Sequence, residues 1–391
     1  MYGEFNSFHQ SIANTRVLVF FYYLLSKINF IIKKNIKLPI INVNNEIIEI
    51  IFSKNQLKSS NALALVNSKR IILGLDKIDS IKKNDFLMSN YKILFLSMIL
   101  SDQIYNTLKR VNNDPLLKKN NFRIIKLLVI ERVFKSLNHQ KIKTVINYND
   151  HSPYNVITFD FFKKIKKKIV YCQHAPVSNK FPKLYHDINL LFSNDSKDKY
   201  GHIAKTEKDV LIIGDIRFWD LPKTNKINNK IKETILICTN KIDCLDSIKK
   251  CAEFFINQNF KVILRKHPAD NSTIHLSDEI IISSNSNIFD DLSLCDIVVT
   301  NESAVPLESI YLNKLTYIYR FNQKKGTALV FDNYSFMKIG LITRDFTSLG
   351  KLLSSIKKKE ITFSKEKLDY FIGPVSEKEK IRTKLITRLY S

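Results

Sequence analysis

Apolar residues in this chain gather in short β-branched runs that stop at polar clusters. Between the runs they recur at three- and four-residue spacing. The clearest stretch is 143–216. Lys143–Tyr148 is one such run and ends in Asn149-Asp150-His151-Ser152-Pro153; a helix is predicted from about Tyr154 to Lys167. Ile169–Tyr171 is the next strand and ends in Gln173-His174-Ala175-Pro176. Ile188–Phe192 ends in Ser193-Asn194-Asp195, and Val210–Ile213 ends in Gly214-Asp215. Apolar strands alternating with helices are the mark of a parallel sheet covered on both faces. Lys223–Lys232 is a polar interval and reads as a linker. The alternation then restarts: strand 234–238, helix 243–257, strand 260–265, strand 279–283, helix 287–294, strand 296–300, helix 305–312 and strand 315–319.

Before residue 143 the pattern is weaker. Residues 47–53 and 63–74 read as strands, and 92–110 and 121–139 as helices. Beyond 345 the chain reads as two charged helices. A length of 391 residues exceeds one ordinary core. The expected fold class is therefore α/β, with two Rossmann-like domains facing across a cleft. The first spans 1–222, the second 233–345, and the helices of 346–391 are expected to pack back on the first.

Composition narrows the function. Only eight Gly and nine Pro argue against a turn-dense all-β protein. No glycine-rich phosphate loop, Walker A sequence or nucleophile elbow occurs, which disfavours dehydrogenases, P-loop kinases and α/β-hydrolases. The five cysteines form no CxxC pair and read as reduced core residues of a cytoplasmic protein. The net charge of +25 implies attraction to polyanions. The cations are scattered in short clusters such as Lys357-Lys358-Lys359, without zinc-finger or RNP-type motifs, so nucleic acid is not the expected partner. A membrane surface or an anionic lipid-linked acceptor is. The apolar run Val17–Leu25 is too short to span a bilayer and reads as a buried or interfacial helix, with peripheral attachment at the cytoplasmic face as the expectation.

Two strand ends carry the candidate chemistry. Lys261-Val-Ile-Leu-Arg265-Lys266-His267-Pro268 places three cationic donors at one carboxyl terminus, suited to a phosphate. Ile297-Val-Val-Thr300-Asn-Glu-Ser303 precedes a helix beginning near Val305 or Pro306, where hydroxyls cap the helix or help hold a phosphate. Glu308, one turn in, is either a ribose acceptor or a solvated residue. Ligands bind at such carboxyl ends in open α/β sheets. In the first half, Asp150-His151 offers a general base or an Asx turn before Pro153. Gln173-His174 faces the cleft or plays a structural part, and Gly214 signals close backbone approach.

In this order the pieces resemble the metal-independent GT-B-type glycosyltransferases of bacterial capsule and lipooligosaccharide synthesis. That group includes sialyl- and polysialyltransferases, Kdo transferases and, more distantly, CDP-glycerol glycerophosphotransferases. Arg265-Lys266-His267-Pro268 looks like their His-Pro motif, and Thr300 with Ser303 looks like their Ser-Ser or Ser-Thr motif. Gln173-His174-Ala175 is similar to a Gln-His-Gly motif. Asn149-Asp150-His151 falls where sialyltransferases carry an acidic-acidic-Gly motif. The resemblance spans roughly 143–320. It implies that the second domain holds a nucleotide-sugar donor through Arg265, Lys266, His267, Pro268, Thr300, Ser303, Glu308 and Gly214, with no metal or other cofactor. It also implies that Asp150 deprotonates an acceptor hydroxyl in the first domain, beside His151, Gln173 and His174. A CMP-activated acidic sugar is the expected donor. Glycerophosphate transfer from CDP-glycerol and a non-catalytic membrane tether are the alternatives.

Overall fold

The computed structural model describes residues 21–26, 43 and 45–390, apart from 66–67, 75–84, 112–120, 149–151, 178–180, 182, 201–209, 220, 222–233, 241, 268–269, 271, 274–275, 286, 302 and 323–333. The expected linker and the Asp150-His151 pair thus lie outside the described residues.

The first half begins with helix α1 (21–26), then β1 (Ile47–Ile51), α2 (Lys54–Leu63), β2 (Ser68–Leu73) and β3 (Phe86–Met88). It continues with α3 (Asn90–Ile99), α4 (Ser101–Val111), α5 (Asn121–Ser136), β4 (Thr144–Asn147), α6 (Pro153–Lys164) and β5 (Lys168–Cys172). β6 (Ile188–Leu191), α7 (Asn194–Tyr200), β7 (Val210–Ile212) and a 3₁₀ turn at Ile216–Phe218 complete it. Among the described residues its seven strands form one parallel sheet in the order β3-β2-β1-β4-β5-β6-β7.

The second half comprises β8 (Thr234–Cys238), α8 (Leu245–Ile256), β9 (Lys261–Arg265), β10 (Ile280–Ile282), α9 (Ile288–Ser293), β11 (Ile297–Thr300) and α10 (Val305–Tyr311). After these come β12 (Leu315–Tyr319), α11 (Tyr334–Lys338), β13 (Asp345–Phe346) and α12 (Leu349–Lys357). Its six described strands are also all parallel, in the order β10-β9-β8-β11-β12-β13. The α/β class with two parallel-sheet domains is as expected from the sequence.

The strand residues explain the layering. In β1, Ile47 and Ile51 join the core cluster that also holds Leu57, Leu368, Phe371 and Leu385. The alternate residues Ile48 and Ile50 pack with Val129, Phe134 and Phe162 on the opposite face. A strand apolar on both faces requires helices on both sides. Glu49 shares the first face, and its carboxylate accepts hydrogen bonds from Tyr148 Oη at 2.5 Å and from Ser68 Oγ. The helix expected over 92–110 is two helices meeting at Leu100. Ile93 of α3 serves the sheet core, whereas Ile104 and Leu108 of α4 pack on Tyr22 and Ile125.

The domain boundary expected at 345 moves. β13 pairs with β12, and Leu352 and Ile356 of α12 bury against the second sheet, so the second domain extends through α12. The chain then crosses to the first half as α13 (Leu368–Ile372) and α14 (Lys378–Tyr390). Asp215 N–H donates to Ile372 O at 2.6 Å, Arg382 donates to Ala62 O at 2.9 Å, and Thr144 Oγ1 donates to Leu389 O at 3.2 Å.

Gly373 makes this crossing possible. Its φ is +71°, and a Cβ placed there would lie 2.1 Å from Phe192 O and 3.0 Å from the Gly214 Cα. Gly214, with φ +78°, faces Pro374 and Val375 at 3.2–3.3 Å in the same way. Replacing Gly373 with alanine should therefore cost roughly 2 kcal/mol or more. A lowered urea midpoint with unchanged slope would show it. An unchanged midpoint would mean that this crossing does not hold the C-terminal helices.

Candidate functional site

The order of the second sheet reverses between β8 and β11, which makes their carboxyl ends a topological switch point. Thr239 and Asn240 follow β8, and Asn301 follows β11. The fully buried Asp243 ties these ends together. Its carboxylate accepts from Asn301 Nδ2 at 2.8 Å and from the Asn240 N–H at 2.7 Å. Thr300 Oγ1 lies 3.2 Å from Ser303 Oγ, which in turn accepts from the N–H of Val305, the first residue of α10, at 3.2 Å.

β9 stands beside β8 and brings its own end to this place. The three cations expected there are used differently. Arg265 donates to buried Asp291 and to Asn285 O at 3.0 Å. Asp291 also accepts from Ser283 Oγ at 2.7 Å and from Asn285 Nδ2 at 2.6 Å. Arg265 therefore organises the loop between β10 and α9. Lys266 Nζ donates to Ser272 O. His267 is half-buried at the strand end, and its carbonyl accepts from the Asp270 N–H at 2.8 Å. Pro268 lies outside the described residues.

Residues at the carboxyl ends of β5, β6 and β7 meet Ser303 and Leu307 of the second half. Gln173 is buried at the end of β5. Its Oε1 accepts from the Phe192 N–H at 2.8 Å and its Nε2 donates to Ala175 O at 2.9 Å, so it joins the ends of β5 and β6. His174 beside it is half-buried. A cleft is lined by Gln173, Asp195, Ser196, Lys199 and Asp215 of the first half and by Ser303, Leu307 and Ser335 of the second. Asp195 and Lys199 are paired at 2.7 Å, one turn apart on α7. β4 ends at Asn147, at the switch point of the first sheet between β1 and β4; Asp150 and His151, expected after it, lie outside the described residues.

Glu308 and Gly214 belong to the domain junction rather than to an open ligand surface. Glu308 Oε1 accepts from Arg217 Nη1 at 2.8 Å. The same guanidinium is held on its other edge by Asp215, with Nε 3.0 and 3.1 Å from the two carboxylate oxygens. The result is a clasp of two carboxylates on one arginine, joining the segment after β7 to α10. Burial pushes the Glu308 carboxyl above its ordinary range, and Arg217 opposes that shift. Burial alone would lower the Arg217 pKa, but the two carboxylates hold it above its usual value. Gly214 is approached by residues 374–375 of the chain itself.

Sequence reasoning missed Asp195, Lys199, Arg217, Asp243 and Ser335. The cluster Ser193-Asn194-Asp195 was legible as a strand end, but nothing local showed which strand ends face the other domain. Among the described residues, no group of three or more His, Cys, Asp or Glu side chains comes together as a metal-ligand set. The buried cysteines are held as thiols, Cys295 pushed up to about 12 and Cys172, Cys238 and Cys251 raised as well, chiefly by desolvation.

Comparison with known proteins bears on this geometry. Residues 241–375, roughly a third of the chain, match the family described as CDP-glycerol:poly(glycerophosphate) glycerophosphotransferase. No curated protein sequence matches the chain. Among solved structures, the Staphylococcus aureus MnaA–UDP co-structure is similar at 11% identity, covering 88% of this chain and 97% of that one, with a TM-score of 0.53. The UDP-GlcNAc 2-epimerase of Neisseria meningitidis bound to UDP-GlcNAc gives 10% identity, 89% and 100% coverage and a TM-score of 0.51. A variant of the wall teichoic acid polymerase TagF gives 12% identity, 89% and 90% coverage and a TM-score of 0.51. At these identities the structures show the fold: two parallel-sheet α/β domains. The family match adds the chemistry class, and the expectation of a glycosyltransferase-type enzyme is borne out.

Proposed function

We propose that the chain transfers an alcohol phosphate, such as glycerol phosphate, from a CDP-activated donor onto a bacterial surface polymer. One observation carries this reading. The segment that matches the glycerophosphotransferase family, 241–375, is the one whose strand ends bear His267, Thr300 and Ser303. Of these, Ser303 lines the cleft shared with the first half. The similarity to a teichoic acid polymerase supports the same class of product.

In this reading the nucleotide lies over the switch point of the second sheet, between the ends of β8 and β11. His267, with the hydroxyls of Thr300 and Ser303, meets the diphosphate. An acceptor hydroxyl enters from the first half and attacks the β-phosphorus. The bond from that phosphorus to the bridging oxygen breaks, and CMP leaves with the electron pair. Protein donors placed at the leaving phosphate stabilise its charge without a metal. Asp150 takes the acceptor proton. The acceptor is an anionic polymer held at the membrane surface, for which a chain of net charge +25 is suited.

A second reading keeps the site and changes the donor to a CMP-activated acidic sugar, with attack at the anomeric carbon. Its support is the ordered set of His-Pro and Ser motifs in a GT-B-like fold. CMP release separates the two when each donor is offered with a primed acceptor and the product is weighed. Release is expected with CDP-glycerol, with a product heavier by glycerol phosphate. Release only with the CMP-sugar would transfer the assignment to sugar transfer.

A further inference from the structure

The first half carries an apolar surface that the cleft does not use. Helix α3 reads Asn-Tyr-Lys-Ile-Leu-Phe-Leu-Ser-Met-Ile, apolar nearly all round, yet only Ile93 and Ser97 are buried. A helix of that composition is ordinarily covered on every side. Here Tyr91 is 79% exposed and Phe95 64%, one turn apart on one face. Helix α1 is docked alongside, since Tyr22 Oη lies 2.8 Å from Ser97 Oγ. It adds Phe21 and Leu24 to the exposed apolar surface. α1 and α3 contain one charged residue, Lys92, and no acid. Residues 1–40 carry five Lys or Arg against one Glu.

We infer that α1 and α3 form the surface by which the protein lies on an anionic lipid bilayer. Aromatic and leucine side chains enter the headgroup–acyl boundary, where tyrosine keeps its hydroxyl in the polar layer. Lys92, next to Tyr91, extends its stem along the apolar face and its ammonium to lipid phosphate. The net charge of +25 favours approach to the negative surface potential of the lipid. None of the described helices is long and apolar enough to cross a membrane, so the contact is an in-plane one. The one charge on α1 and α3 is the cation Lys92, which suits an anionic lipid surface. The assignment draws on the proposed function only for why the enzyme should be at a membrane. Its test needs neither donor nor acceptor.

The test is flotation of the full chain with vesicles of phosphatidylglycerol and phosphatidylcholine, compared with phosphatidylcholine alone, at low and high salt. The wild type should float with the anionic vesicles and less so in high salt. The double variant Tyr91→Ser/Phe95→Ser should float at least about tenfold less. Both side chains are exposed, so its thermal midpoint and its binding of CDP-glycerol should match the wild type. Lys92→Glu should weaken flotation in the same direction. A double variant that floats like the wild type would overturn the inference, as would a wild type that does not float. Sedimentation velocity showing a wild-type dimer that the double variant dissociates, without vesicle binding, would assign the face to self-association instead.

Discussion

Replacing His267 with alanine should reduce transfer by about 100- to 1000-fold while leaving the fold unchanged. His267 follows the end of β9 beside the switch point, where a nucleotide diphosphate would lie, and it is half-buried rather than part of the core. Its neighbours cannot take over its task without giving up their own. Arg265 holds buried Asp291, and Lys266 holds the Ser272 carbonyl. Initial-rate measurement of CMP release checks the effect, with the thermal midpoint as control. The loss should fall mainly on kcat, because a donor aimed at the leaving phosphate acts most strongly in the transition state. Arg265→Ala should behave differently: it should lower stability through the abandoned Asp291. Full activity in His267→Ala would remove the histidine from the chemistry.

Replacing Arg217 with methionine should destabilise the protein by about 3 kcal/mol at neutral pH. The substitution keeps much of the side-chain volume but leaves Asp215 and Glu308 buried without their shared cation. The cost depends on pH in a defined direction. The Glu308 carboxyl is already raised in the folded protein by burial. The folded state therefore holds this proton more tightly than the unfolded chain does. The stability tied to the group is greatest below the ordinary carboxylate range and is lost as pH rises through the raised folded value. Without Arg217 that value rises further, so the deficit of the variant should grow between pH 5 and pH 8. Urea denaturation at the two pH values measures it. A deficit that shrinks toward pH 8 would contradict the clasp.

The second half was legible to within a residue or two because its strands are buried on both faces. Leu315–Tyr319 and Thr234–Cys238 are apolar or β-branched almost throughout, and a local window suffices to find them. The first ninety residues were harder because buried charges interrupt their strands. Glu49 sits in the middle of β1 and Arg70 in β2, each buried by a partner remote in sequence: Tyr148 for the first, Asp85 for the second. β13 has two residues, too few for any periodicity.

The site was legible as a set of strand ends but not as a set of partners. Glu308 carries no local sign that Arg217, ninety-one positions earlier, will occupy it. Gly214 announced a close approach correctly, yet the approaching backbone is the chain's own segment at 374–375. The same holds for Arg265, whose partner Asp291 became apparent only once the loop after β10 was placed. Local sequence specifies the chemistry each strand end can offer; which neighbour takes up that chemistry is decided by the tertiary arrangement.

The central claim is that the switch point of the second sheet holds the activated nucleotide. Hydrogen–deuterium exchange of the full chain with and without CDP-glycerol tests it most directly. Protection is expected in peptides covering 239–243, 265–270 and 300–309, with little change in β1–β3. Protection confined to the first sheet, or none at saturating nucleotide, would contradict the account.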